Sequence, residues 1–91
     1  MTTAEVAACS RTMTDVIDKL PKDLFIIDQT ISMFPYPCTM NVFVSETTGC
    51  GVIGAAQMLG IAYTSVEKDG FWEQYFLLDG VKVFQQTDAD K

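Results

Sequence analysis

The residues best placed to do chemistry stand at positions 28–33. Asp28, Gln29, Thr30 and Ser32 set a carboxylate, an amide and two hydroxyls beside Ile31 and Met33. A strand end of this composition offers a row of hydrogen-bonding groups to a partner. The chemistry it suggests is recognition rather than catalysis. The chain has no histidine, the side chain most used near neutral pH to move protons or hold zinc. It has no Gly-x-Ser-x-Gly turn to present a nucleophile, and no cysteine has a histidine to activate it. Gly49-Cys50-Gly51 lacks the following lysine of a phosphate-binding loop. The carboxylates are scattered. Asp28 could pair with Glu73 or Asp79, but no spacing requires it. The expectation is a protein that is not an enzyme, uses no cofactor or metal, and acts by binding.

The three cysteines, Cys9, Cys38 and Cys50, are odd in number and widely spaced, with no Cys-x-x-Cys pair. Neither a zinc nor a redox motif is supported. One disulfide with a free thiol is one arrangement; three reduced, partly buried thiols in a cytosolic protein is the preferred one.

The element that must position residues 28–33 begins at Leu24. Residues 24–27 form a continuous apolar run, which suits a strand covered on both faces. Polar residues follow, and Pro35 stops the strand because proline cannot donate to a sheet ladder. The strand therefore starts in a core and ends in water. An ordinary edge strand with a solvated end has the same composition, and that plainer reading is the commoner one.

Before it, Thr3 is placed to cap a helix. Val6, Cys9, Met13, Val16, Ile17 and Leu20 recur at steps of three and four, one apolar stripe ended by Pro21. After it, Val42, Phe43 and Val44 favour strand by shape. Residues 46–51 read as a loop. Residues 52–59 suit a helix except at Gly54, and the small residues Gly51, Gly54, Ala55, Ala56 and Gly60 suggest close backbone approach. Residues 61–66 read as a strand. Asp69-Gly70 and Asp79-Gly80 are hairpin signals on either side of the strand 71–78, with a closing strand from Val81 to Gln85 and a frayed polar tail after it. Trp72, Tyr75 and Phe71 in one strand most often mean core. The sum is one α+β domain over residues 1–91: an antiparallel sheet of four or five strands covered by one or two helices.

Charge narrows the partners. Twelve acidic and six basic residues give a net charge of −6. Direct binding to nucleic acid or to anionic membranes is disfavoured, since both depend on lysine and arginine. A basic protein surface, such as that of a DNA-binding protein, is favoured. Acidity for solubility is the commoner explanation. No apolar run approaches the ~20 residues of a membrane span, and the first residues carry no signal-peptide pattern. The expected location is the cytoplasm.

Two stretches resemble the phage uracil-DNA glycosylase inhibitors, the Ugi family. Thr14-Asp15-Val16-Ile17-Asp18-Lys19 is similar to the Ser-Asp-Ile-Ile-Glu-Lys that ends the family's first helix. Gln29-Thr30-Ile31-Ser32-Met33-Phe34-Pro35 falls where the family's first strand ends in Glu-Ser-Ile-Leu-Met-Leu-Pro, at the same spacing. Thr64-Ser65, an acidic turn, Trp72, an apolar strand and a closing strand with an alternating lysine also look similar. Together these cover about half the chain; residues 36–63 do not match.

The resemblance implies an acidic DNA mimic acting in the cytoplasm of a host cell, a monomer forming a 1:1 complex with the host's uracil-DNA glycosylase. The family's first strand enters the enzyme's DNA groove, and an apolar pocket between sheet and helix receives the side chain that the enzyme pushes into DNA. By position, Gln29, Thr30, Ile31 and Ser32 would enter the groove, Asp28 would be the nearest carboxylate, and Met33 would line the pocket. Val42, Met58 and Val52 are candidates for other pocket residues, unassigned because the middle does not align.

Two departures stand out. The family has glutamate where this chain has Gln29, and an acidic second helix just after the proline, where residues 36–41 carry no acid. The alternatives are another phage anti-defence DNA mimic, against restriction or CRISPR systems, and a small self-assembling module. A pocket for one aliphatic side chain beside Gln29–Ser32 separates the first reading from these.

Overall fold

The computed structural model describes residues 2–32 and 38–88. In chain order they form α1 (Thr3–Lys19), β1 (Leu24–Ser32), β2 (Thr39–Gly49), α2 (Gly51–Leu59), β3 (Thr64–Lys68), β4 (Phe71–Leu78) and β5 (Val81–Asp88). The fold is α+β, with a five-stranded sheet in the order β1-β2-β5-β4-β3. The β1–β2, β3–β4 and β4–β5 pairings are antiparallel, as expected, but β2 and β5 run parallel. The chain leaves β2 through α2, builds the β3–β4 hairpin, and returns as β5 between β4 and β2. A strand reached by such a crossover, not a tight turn, is free to run parallel.

The apolar stripe of α1 buries Met13, Val16 and Leu20 against the sheet. The helix starts one residue earlier than expected, capped by Thr2 and not Thr3. A capping box needs a glutamate three residues after the cap, and Glu5 stands three after Thr2. The Glu5 amide donates to Thr2 Oγ1 at 3.2 Å, and the Thr2 amide donates to Glu5 Oε1 at 3.1 Å. α2 buries Val52, Ala55 and Ala56 on the same face of the sheet as α1. Its start has no side-chain cap from Cys50. Instead the Val52 amide donates to the buried Gln85 Oε1 of β5 at 2.8 Å.

β1 is an edge strand, so residues 24–27 are not covered on both faces. Leu24 is buried and Ile26 packs on the core, whereas Phe25 and Ile27 are 54% and 53% exposed. Both helices lie on one side, and an unbroken apolar run does not say how many sides are covered. The ladder with β2 slips between Leu24 and Ile26 and again between Ile26 and Asp28. A slip of this kind changes which side chains face the core. Beyond it Gln29 and Ile31 take over the helix-covered face.

Several boundaries differ from the sequence reading. β2 runs on to Gly49 through the expected loop, bulging out of the ladder at 45–48, where Ser45 Oγ accepts from the Thr47 and Thr48 amides at 3.2 and 2.9 Å. Gly49 ends it at φ +79°, with the Asp23 carbonyl where a Cβ would stand. β3 begins at Thr64, not 61, because the Ile61 amide still closes α2 by donating to the Ala56 carbonyl at 3.0 Å. Residues 86–88 are strand, not frayed tail, since β4 pairs with β5 along its whole length. Asp79 and Gly80 both take positive φ, as the Asp-Gly hairpin signal requires.

The face away from the helices carries its own cluster. Phe43 and Phe84 stack at 5.0 Å. Lys82 lies over the Tyr75 ring at 4.9 Å and reaches Glu73 at 2.6 Å. Glu73 is buried and also meets Lys68 at 3.3 Å. The lysines thus shield a buried carboxylate beside the aromatic rings. Of the three aromatics in β4, Trp72 is partly exposed and Phe71 and Tyr75 are half-buried; Phe76 is the one in the core.

Candidate functional site

α1 and the outer half of β1 do not close on each other completely. Between them lies a groove of about 330 Å³ lined by Ser10, Met13 and Thr14 from the helix and Gln29 and Ile31 from the strand. Helical spacing puts Ser10 and Thr14 on one side, one turn apart, with Met13 beside them. Strand alternation puts Gln29 and Ile31 on one face. The floor is apolar, from buried Met13 and half-buried Ile31; Ser10, Thr14 and Gln29 make a polar rim. The Thr14 hydroxyl donates to the Ser10 carbonyl at 3.0 Å, so it presents its methyl and lone pairs. An apolar cavity of ~150 Å³ holds a benzene ring, so this groove has room for one aliphatic side chain.

The expected strand-end row is split by the pleat. Gln29 and Ile31 line the groove. Asp28, Thr30 and Ser32 alternate to the opposite side and are exposed. Asp28 does not meet Glu73 or Asp79: its Oδ1 accepts from the Gln29 amide at 2.8 Å, while Glu73 is held by two lysines and Asp79 by Lys19 at 2.6 Å. Met33 lies outside the described residues. The candidates from the middle of the chain are elsewhere. Val42 and Val52 are fully buried core residues, and Met58 is exposed on α2. The groove uses the first helix. The sequence reading of the site does not include Ser10, Met13 and Thr14; their signal is a pair of small polar residues one helical turn apart beside Met13.

Among the described residues the second helix follows β2. α2 carries no acidic residue in its first turn and none along its length. The local charge around the groove comes from other positions. Among the described residues Asp15, Asp18 and Asp28 on α1 and β1 are exposed and in no ion pair, and no lysine or arginine lines the groove. Among the described residues β1 pairs only with β2 and is an edge strand of the sheet. Among the same residues no group of three or more His, Cys, Asp or Glu is gathered as for a metal, and no helix is long and apolar enough to cross a membrane.

Taken together, a polar sheet edge and an apolar groove adjoin, with unpaired carboxylates on the same two elements. Such a surface can accept hydrogen bonds along a strand and hold one aliphatic side chain. Compared with known proteins, the chain matches no family model, no curated protein and no solved structure.

Proposed function

We propose that the chain is an acidic mimic of DNA that inhibits uracil-DNA glycosylase, laying β1 along the enzyme's basic DNA groove and taking the enzyme's inserted apolar side chain between α1 and β1. The observation that carries this reading is the groove itself. It lies beside Gln29 and Ile31, where the resemblance in the sequence calls for a pocket, and its size suits one aliphatic side chain. The net charge of −6 supports it by favouring encounter with a basic surface. Binding is in a 1:1 complex, in the cytoplasm of the host.

A second reading, an anti-defence mimic aimed at another DNA-binding protein, is favoured by one feature. α2 stands after β2 and has no acid, so the acidic track expected beside the first strand has no counterpart there.

Uracil excision from an oligonucleotide by a bacterial glycosylase, titrated with this chain, tests the proposal. Stoichiometric inhibition is expected, with Thr14→Trp filling the groove and weakening inhibition at least about tenfold while Glu67→Ala, on the opposite edge strand, changes little. No inhibition by the folded chain at large excess would sink the glycosylase reading and leave the other target.

A further inference from the structure

Cys9 stands on α1 directly before Ser10, which lines the groove. Cys38 stands directly before Thr39, the first residue of β2. In the ladder Thr39 pairs with Ser32 and Met40 with Ile31, whose side chain lines the same groove. The fold thus brings two cysteines from distant parts of the chain to one rim. Both are part-exposed free thiols, and they stand near enough for each to act on the other electrostatically. The Cys38 thiol, then burial and the nearby charge of Glu5, push the Cys9 thiol up from its ordinary value. Cys50 differs: it stands just before α2, and burial comes first among the causes that raise its thiol.

We propose that Cys9 and Cys38 form an intramolecular disulfide on exposure to an oxidising disulfide such as oxidised glutathione, tying α1 to the start of β2 at the rim of the groove. The chemistry is thiol–disulfide exchange. The thiolate of one cysteine attacks a sulfur of oxidised glutathione; a mixed disulfide forms, and one glutathione leaves as a thiolate that takes up the released proton. The second cysteine, deprotonated in turn, attacks the protein sulfur of the mixed disulfide. The Cys9–Cys38 bond forms, and the second glutathione leaves and is protonated. Two protein thiols are oxidised and one glutathione disulfide is reduced to two thiols. Thiols brought to one rim by two elements that already pack together need only a local approach to reach bonding geometry. The inference rests on this pair and is independent of what fills the groove.

The test is intact mass and thiol titration of the folded full chain after treatment with oxidised glutathione. The expected product is a monomer lighter by two hydrogens with a single titratable thiol left. The Cys50→Ser chain should lose both its thiols in the same way, and neither Cys9→Ser nor Cys38→Ser should lose two hydrogens. The thermal midpoint should rise by about 5 °C or more and fall back on reduction, because the bond restrains the unfolded chain. Glutathione adducts in place of the internal bond, a two-hydrogen loss that persists in Cys9→Ser or Cys38→Ser, or an unchanged midpoint would each overturn the proposal.

Discussion

At the scale of single residues, Gln29 and Glu73 show how position decides what a polar side chain does. Gln29 sits at the rim of the groove, exposed, where an amide can accept a hydrogen bond without charge assistance. Gln29→Glu should therefore tighten binding to a basic partner, by about 1 kcal/mol or roughly fivefold in affinity. Unchanged affinity in a titration would show that this edge does not face the partner, and a large loss that it does not face a basic surface. Glu73 lies on the far side of the sheet. Burial alone would raise its carboxyl, but hydrogen bonds from Lys82 and Lys68 and their charges outweigh that and hold it below its ordinary value of 4.5. A carboxyl lowered by folding contributes stability that is present above its unfolded value and is lost as pH falls through its folded one. Glu73→Gln should lower stability at pH 7 by about 1–3 kcal/mol. The gap between the two chains should then shrink as pH drops below about 4.5. Denaturant unfolding at several pH values checks this; a gap constant with pH would mean that the ion pairs contribute nothing.

At the scale of elements, α1 and β1 make the groove, and α2 carries the chain away from β2. α2 is short and its first turn lacks both a side-chain cap and an acidic residue. It is held instead by Gln85 from β5, whose Nε2 also donates to Gln74 Oε1 at 3.2 Å while Thr87 donates to the same oxygen at 3.1 Å. This network fixes where α2 begins relative to the central strands. Gly51, at φ +68°, fits because a Cβ there would stand 2.9 Å from Gln85 Oε1. Gln85→Ala would leave the Val52 amide buried without its acceptor, a cost of about 1–3 kcal/mol. Chemical denaturation should register that loss, and hydrogen exchange should show faster exchange at the start of α2. Exchange unchanged there would mean that solvent replaces Gln85 freely.

At the scale of the whole molecule, twelve acids against six basic residues act together. The basic side chains that form ion pairs among the described residues, Lys19, Lys68 and Lys82, hold Asp79 and Glu73. The remaining field is strongly negative, and Asp15, Asp18 and Asp28 contribute to it on the two elements that bound the groove. Long-range attraction of this kind acts on encounter and is screened over about 8–10 Å at moderate salt. The association rate with a basic partner should fall at least about tenfold from low to molar salt, with the dissociation rate little changed. Stopped-flow or surface measurements would show it; a salt-insensitive association rate would remove the electrostatic role.

The parts of this protein that the sequence determined by itself are those set by neighbours along the chain. The stripe of α1 follows from contacts three and four residues apart. The two hairpins follow from Asp-Gly turns, and the acidity and the lack of histidine chemistry follow from composition. The α+β class, the strands 71–78 and 81–85 and the strand character of Val42, Phe43 and Val44 were legible for the same reason. Tertiary structure alone decided which face of β1 lies open, that β2 and β5 run parallel, that residues 86–88 complete a ladder, and that the pocket beside Gln29 is closed by Ser10, Met13 and Thr14. The same holds for the meeting of Cys9 with Cys38. A run such as Leu24-Phe25-Ile26-Ile27 records that apolar residues are present, not how many layers cover them. A register slip against β2, invisible in either strand alone, then sets which side chains reach the groove. Those outcomes depend on elements far apart in the chain, whose packing is fixed only when the sheet is assembled.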